Sequence, residues 1–566
     1  MKLIKCFLIV LLLGLANIGF AKPDDAGFWT ILPQITAKAY VHQPDAKTKN
    51  IQGCYPGVYP YFLIYPDKAC TTEEQATELV EKLGLEECLN ANAASVCIMN
   101  PVGKTYNVEK DFQNYKDYVN NTHAPFNLKV IGIGKGATFV DQAIAHHAGL
   151  IADIALINPS SAVTNAKVGV APVPVYIYGK NATKIAKDYI QLDKCTANDV
   201  GNQYNVYSNK KEPLLKVVVD NEKNIDLKSV IKRAWYVLLK RNYRFDNFRH
   251  SFYKGAKFEQ YEVANELEPC VLLDELKIKK NVVEKDLIGI GAFLWYEYFP
   301  ESTLNASKGT IPLVVLLHGN TNDPRTQAET SGFLELSAKE NFAVAELEWQ
   351  GGGYTPMGFD GIEQVIYYLL KQYPQLDPSR VYAEGLSAGC ITATGLGVKK
   401  PYLFAAVGGH SGGIFPNNMY KFGFNREALM NEAEFERNKV LMPYFTVQGT
   451  YDDELPFPKQ DNYENTALFN AIQIYEALDG LDVTDKADFS VYPIFGLELQ
   501  SRKSTPTNKG YTVESGYLYK GNIPLIKINA IPNFGHWNFK PDAKMMWDFF
   551  KHFSRNQETR ELVYKP

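Results

Sequence analysis

Residues 380–398 read RVYAEGLSAGCITATGLGV, and this stretch decides the fold. An apolar strand, VYAE, runs into G-x-S-x-G at Gly385, Ser387 and Gly389, and an apolar helix is predicted over residues 391–398. A tight strand–turn–helix of this kind lifts a serine hydroxyl clear of the sheet, and the glycines relieve crowding around it. The helix start also brings a partial positive charge to the place where an oxyanion would develop. The motif alone is a weak signal; its neighbours carry the reading.

Outward from this point, predicted strands and helices alternate in both directions, the pattern of a mostly parallel α/β sheet. In the second half, residues 292–299 (AFLWYEYF) and 311–317 (IPLVVLL) read as strands. A helix over 328–340, a strand over 343–347, a helix over 361–372 and a strand over 380–384 come next. Strands over 403–408, 444–448 and 523–531 lead to a terminal helix over 541–553. The first half repeats the central part of this order, with strands over 61–65, 94–99, 129–133, 152–157 and 173–178. Helices over 73–83, 112–119 and 138–148 lie between them, residues 193–224 are less regular, and a helix over 228–240 closes the half. The charged, weakly patterned residues 277–286 place a domain boundary near residue 275.

Three features follow the chain order that a serine hydrolase requires. LLHGN puts His318, Gly319 and Asn320 at the end of an early strand, where the Asn320 N–H can join that of Ala388 in an oxyanion hole. VQGTYDDELP puts Asp452 at the end of the strand after the elbow, with Asp453 as its rival. NFGHWNF puts His536 in a loop after the last strand. The order Ser–Asp–His is that of the α/β-hydrolase triad, with Ser387 as nucleophile, His536 as base and acid, and Asp452 holding the imidazole. His318 reads as a loop-structuring residue and His552 as a surface or packing residue. His410, before Ser411, suits a pocket wall and a structural role equally.

With these pieces in place, residues from about 290 to 540 resemble the secreted polyhydroxybutyrate-depolymerase and feruloyl-esterase-like branch of the α/β-hydrolases. The matching segments are LVVLLHGNTNDP, LDPSRVYAEGLSAG, LFAAVGGHSG, QGTYDDELP and GHWNF. The resemblance implies a serine esterase acting on small or polymeric carboxylic esters, without a cofactor. In that family the acid lies three residues after the Gly of its motif and four before a Pro, a spacing matched by Gly449, Asp452 and Pro456. Cys390 departs from the small residue commoner after the elbow. A serine peptidase of prolyl-oligopeptidase type shares the triad order, but its propeller needs many regularly spaced short strands. A binding protein on a dormant hydrolase fold is the non-catalytic alternative.

Bulk properties agree with an exported two-domain enzyme. At 566 residues the chain exceeds one ordinary core, and its net charge of −4 provides no basic field for nucleic acid. Residues 1–21 read as a signal peptide, with two early lysines, an apolar core too short for a membrane anchor, and cleavage expected after Ala21. The mature protein is therefore expected to be secreted or periplasmic. An oxidising compartment favours disulfides, for which Cys54–Cys70, Cys88–Cys97 and Cys195–Cys270 are the expected pairs and Cys390 the unpaired thiol. Six cysteines permit 15 connectivities. No C-x-x-C occurs, and the neighbours His146 and His147 do not converge on a metal. Residues 413–442 and 485–522, rich in aromatics, are candidate walls of the active-site mouth or independent surface excursions.

The first half contains a second elbow-like stretch. KVIGIGKGATF, residues 129–139, aligns without a gap on YAEGLSAGCIT when Gly132 is laid on Gly385. Gly134 then occupies the Ser387 position, Lys135 that of Ala388, and Ala182 lies opposite Asp452. His250 is the only histidine between Ala182 and residue 275. Gly132, Gly134 and Ala137 also fit a dinucleotide fingerprint, but the acidic ribose partner should close the next strand, where Asn158 stands. The expectation is two tandem α/β-hydrolase-like domains, each a mostly parallel sheet flanked by helices. Residues 22–275 form a non-catalytic copy and residues 276–566 the catalytic one.

Overall fold

The structure, a computed structural model, describes residues 28–32, 35–43, 60–85, 94–121, 127–161, 171–201, 203–245, 258, 266–320, 322–416, 424–452, 454–556 and 558–566. The expected signal peptide, Cys54, Cys88, His250 and Asp453 lie outside the described residues. Among those described, no helix is long and apolar enough to cross a membrane.

Two compact units part between Asn242 and Tyr243, upstream of the expected boundary at 275. Tyr243 is the apolar anchor of the change: it is buried in the second unit's core with Tyr296, Phe333 and Trp547. The charged run that suggested a linker is an edge strand, Ile278–Lys285, whose exposed lysines and Glu284 suit a sheet margin.

Each unit is built on a ten-stranded sheet. In the first, the strands are β1 (Phe28–Ile31), β2 (Ala39–Gln43), β3 (Tyr61–Tyr65), β4 (Ser95–Met99) and β5 (Leu128–Ile133). They continue with β6 (Ile151–Ile157), β7 (Val175–Tyr178), β8 (Thr196–Val200), β9 (Tyr204–Ser208) and β10 (Lys216–Asp220). Their spatial order is β1-β2-β4-β3-β5-β6-β7-β10-β9-β8. The second sheet begins with β11 (Ile278–Lys285), β12 (Phe293–Pro300), β13 (Ile311–Leu317), β14 (Ala343–Leu347) and β15 (Leu376–Leu386). It ends with β16 (Ala406–His410), β17 (Tyr444–Gly449), β18 (Gln500–Pro506), β19 (Thr512–Lys520) and β20 (Ile523–Ile531). Its order, β11-β12-β14-β13-β15-β16-β17-β20-β19-β18, is the first order with ten added to every label. In both sheets the centre is parallel and the margins antiparallel.

Central strands are buried on both faces, which is why they read as unbroken apolar runs. Along β13, Leu313, Val315 and Leu317 enter one core while Val314 and Leu316 enter the other, as the period of two requires. The expected helix over 328–340 is two helices, Pro324–Thr330 and Phe333–Glu340, separated at Gly332 by a left-handed φ of 87°. The irregular stretch after residue 193 holds β8 to β10, and residues 485–522 supply β18 and β19.

Cys70, Cys97, Cys195 and Cys390 are thiols, so the expected disulfides are not formed. Cys97 lies inside the fully buried face of β4, and the Cys195 thiol points to the carbonyls of Asp193 and Leu215 within its own unit.

The helix Lys135–Gln142 packs so closely on β3 that a Cβ at Gly136 would overlap the Tyr65 carbonyl. Gly136→Ala is therefore expected to destabilise the protein by about 1–3 kcal/mol. An unconstrained helical glycine would instead gain from the change by up to about 1 kcal/mol. The urea midpoint decides the sign.

Candidate active site

Ser387 joins β15 to the helix Ala388–Lys399 with φ 55° and ψ −117°, a conformation that costs a residue with a side chain on the order of 1–3 kcal/mol. Its N–H donates to the His410 carbonyl at 2.9 Å, and its own carbonyl accepts from Ile391 at 2.9 Å, the first bond of the helix. A Cβ at Gly389 would overlap the Leu317 carbonyl at the end of β13, and one at Gly385 would meet the Gly389 backbone. Close approach of strand, turn and helix thus fixes the bend and leaves Ser387 only partly covered.

Asp452 follows β17 and His536 follows β20, adjacent parallel strands whose ends bring the two side chains together. The His536 Nδ1 lies 2.9 Å from Asp452 Oδ1 and 3.0 Å from Oδ2, and both residues are buried. The backbone N–H of Leu455 donates to Asp452 Oδ1 at 2.8 Å and that of Glu454 at 3.2 Å. Burial opposes ionisation of Asp452. The His536 imidazole and the donors from Leu455 and Ser411 outweigh it, so the carboxyl is held below its usual range.

The loop after β13 carries the other expected groups. His318 is fully buried; its Nδ1 donates to the Gly319 carbonyl at 2.8 Å and its Nε2 stands 3.2 Å from Glu348. Trp349 Nε1 donates to the His318 carbonyl at 3.0 Å. This ring shapes the loop, as the sequence suggested. The Asn320 side chain accepts from Gln350 at 3.0 Å, and Ala388 is the first residue of the helix after Ser387. His552 is a surface residue bonded to the Lys565 carbonyl. Among the described residues no group of three or more His, Cys, Asp or Glu side chains is arranged to hold a metal ion.

A layer that the motifs did not reveal lies behind the elbow. Glu384, three residues before Ser387, is buried and accepts from Gln327 at 2.8 Å, and Gln327 in turn accepts from Asn538 at 2.8 Å. Burial raises the Glu384 carboxyl to about 8. His410 is also buried, with its Nδ1 2.9 Å from Ser411 Oγ, and burial drives its imidazole down to about 3. His410 is therefore neutral and unsuited to the role of base.

The first unit repeats the bend without the chemistry. Gly134 has φ 56° and ψ −113°, and its N–H donates to the Ile157 carbonyl at 2.9 Å, as Ser387 does to His410. Asn158 and Ser411 share a left-handed φ, 50° and 51°. A Cβ at Gly134 would overlap the Asp67 carboxylate, which accepts the Lys135 N–H at 2.9 Å. The first unit's counterpart of the Ala388 N–H is thus already taken by a side chain. Ala182, aligned with Asp452, opens the helix Ala182–Leu192.

Glu384 supplies a pH prediction. Its folded pKa lies above the unfolded value of about 4.3, so the folded state keeps a proton that the unfolded chain releases, and stability falls as pH rises from there to about 8. Glu384→Gln removes this dependence. In urea unfolding, the variant is expected to gain on wild type between pH 5 and pH 8; a constant difference would contradict a protonated Glu384.

Residues 360–423 match the Esterase PHB depolymerase family. No curated protein matches the chain. Among solved structures, acetyl xylan esterase from Aspergillus awamori is 16% identical, with TM-score 0.32, over 48% of this chain and 99% of that one. The feruloyl esterase module from Clostridium thermocellum is 14% identical, with TM-score 0.32, over 49% and 87%. An S-formylglutathione hydrolase from Agrobacterium tumefaciens is 13% identical, with TM-score 0.33, over 50% and 97%. With its sheet order, its elbow and the match at residues 360–423, the chain is an α/β-hydrolase-fold protein that resembles the PHB-depolymerase branch of esterases.

Proposed function

We propose that the second unit is a secreted serine hydrolase that cleaves carboxylic esters, small or polymeric, through an acyl-enzyme. The observation that carries this reading is the His536–Asp452 pair in the same unit as a serine held in the elbow conformation. The Asp452 carboxylate fixes the Nδ1–H tautomer of His536, which leaves Nε2 as the nitrogen able to take the Ser387 proton. The Ser387 oxygen attacks the ester carbonyl, and the oxyanion is held by the backbone N–H groups of Ala388 and Asn320. His536 then returns the proton to the departing alkoxide. Water, deprotonated by the same imidazole, attacks the acyl-enzyme and frees the acid and Ser387. No cofactor takes part.

The first unit, with glycine in place of the nucleophile and Asp67 on the Lys135 N–H, serves a non-catalytic role. Its sheet-and-helix architecture differs from the propeller of a prolyl-oligopeptidase-type peptidase, which favours the esterase reading.

Steady-state hydrolysis of p-nitrophenyl acyl esters tests the assignment. Ser387→Ala is expected to lower kcat by about 10⁴–10⁶-fold and Asp452→Asn by about 10⁴-fold, with little hydrolysis of peptide anilides by the wild type. Undiminished turnover by Ser387→Ala, or anilides cleaved in preference to esters, would refute it.

A further inference from the structure

We propose that Glu348 and Gln350, working with His318, are positioning residues that fix the direction of the oxyanion-binding N–H of Asn320. The proposal rests on the serine-hydrolase reading and adds to it the support of the oxyanion loop.

In a trans peptide the carbonyl and the following N–H point in opposite directions. The N–H of Asn320 is therefore aimed by whatever holds the Gly319 carbonyl. Two donors hold it, His318 Nδ1 at 2.8 Å and the Asn322 N–H at 3.1 Å. This peptide lies against the elbow: a Cβ on Gly319 would stand 3.6 Å from the carbonyl of Leu386, the residue before Ser387.

Three consecutive residues after β14 grip the loop. Glu348 Oε1 stands 3.2 Å from His318 Nε2, and Trp349 Nε1 donates to the His318 carbonyl at 3.0 Å. Gln350 Nε2 donates to Asn320 Oδ1 at 3.0 Å. His318 and Glu348 are both buried. Because Nδ1 already donates to a carbonyl, the contact between Nε2 and Glu348 needs a second hydrogen, which ring and carboxyl share. The ring is thus held at both nitrogens, and turning it would leave buried polar atoms unpaired. Gln350 adds a hold on Asn320 itself.

The first unit supplies the control. There Ile64 pairs with Ile98 and Ile131 as Leu316 pairs with Glu346 and Glu384. Pro66, Asp67 and Lys68 therefore stand where His318, Gly319 and Asn320 stand, and Asn100, Pro101 and Val102 replace Glu348, Trp349 and Gln350. The Pro66 carbonyl keeps a donor, the Tyr106 hydroxyl at 3.0 Å, so support of that carbonyl belongs to the fold. The imidazole, its carboxyl partner and the amide on Asn320 are missing from the unit in which Asp67 takes the Lys135 N–H and glycine replaces the nucleophile. They accompany the unit that has an oxyanion to bind.

Paired hydrolysis of p-nitrophenyl acetate and its thionoester, in which sulfur replaces the carbonyl oxygen, tests the assignment on the full-length protein. Sulfur is the weaker acceptor, so the ratio of oxo to thiono rates reports how well the N–H groups are aimed. Glu348→Leu is expected to lower kcat for the oxo ester about ten- to hundred-fold with KM nearly unchanged, short of the loss of a whole oxyanion donor. The oxo-to-thiono ratio should fall with it. Glu348→Gln, whose amide can donate to Nε2, should recover most of both. Gln350→Ala, at a half-buried position, should lower both several-fold. Unchanged kcat and ratio in Glu348→Leu and Gln350→Ala overturn the proposal. So does a loss of rate with an unchanged ratio, which marks a merely structural role. If Glu348→Leu fails to fold, Gln350→Ala decides by the same ratio. If Ser387→Ala keeps the wild-type rate, the proposal falls together with the serine-hydrolase reading. An inactive Ser387→Ala beside an indifferent Glu348→Leu sinks the proposal alone.

Discussion

The backbone at Ser387 is the constraint on which the site depends. A non-glycine residue is held at φ 55° because β13, β15 and the following helix approach too closely for any other path. The strain places the side chain at the carboxyl ends of the parallel strands, where Asp452 and His536 also arrive from β17 and β20. Ligand and catalytic sites of open α/β sheets gather at that edge because the loops there converge outside the strand ends. The large apolar core on both faces of the sheet supplies the stability that such a bend consumes.

The first unit shows how much of this geometry belongs to the fold. Its sheet has the same strand order, its turn has nearly the same φ and ψ, and its first elbow hydrogen bond has the same length. What differs is chemical: glycine at the nucleophile position, an aspartate on the neighbouring N–H, and a helix start where the acid would stand. A bend of this kind is therefore a property of strand–turn–helix packing, and the serine of the second unit is an addition to it. The glycines of 132–136 need no dinucleotide to explain them, since Gly136 packs against the Tyr65 carbonyl.

Much of the architecture was legible in the sequence for one reason. Strands buried on both faces, such as β13 and β7, read as unbroken apolar runs. The marginal strands were not legible: β18 is almost wholly exposed and β11 nearly so, and neither pattern differs from a loop or linker. Gly332 breaks one expected helix into two, through a backbone angle that periodicity does not encode. In the candidate site, Ser387, Asp452 and His536, the residues proposed for the triad, could be picked out because chain order and turn chemistry constrain them. Glu384, His410 and Ser411 could not, because partners that meet through strand ends carry no fixed spacing; the only signal was a polar His-Ser pair closing an apolar strand. Disulfide pairing failed for a related reason, since it depends on the direction of each Cβ.

The central claim is that Ser387 is the residue made reactive by this arrangement. It is tested most directly by treating the full-length protein with a fluorophosphonate and locating the adduct by mass spectrometry of its peptides. The account predicts a single stoichiometric adduct on Ser387, abolished by His536→Ala. An adduct on another residue, or an unmodified Ser387 in folded protein, would contradict it.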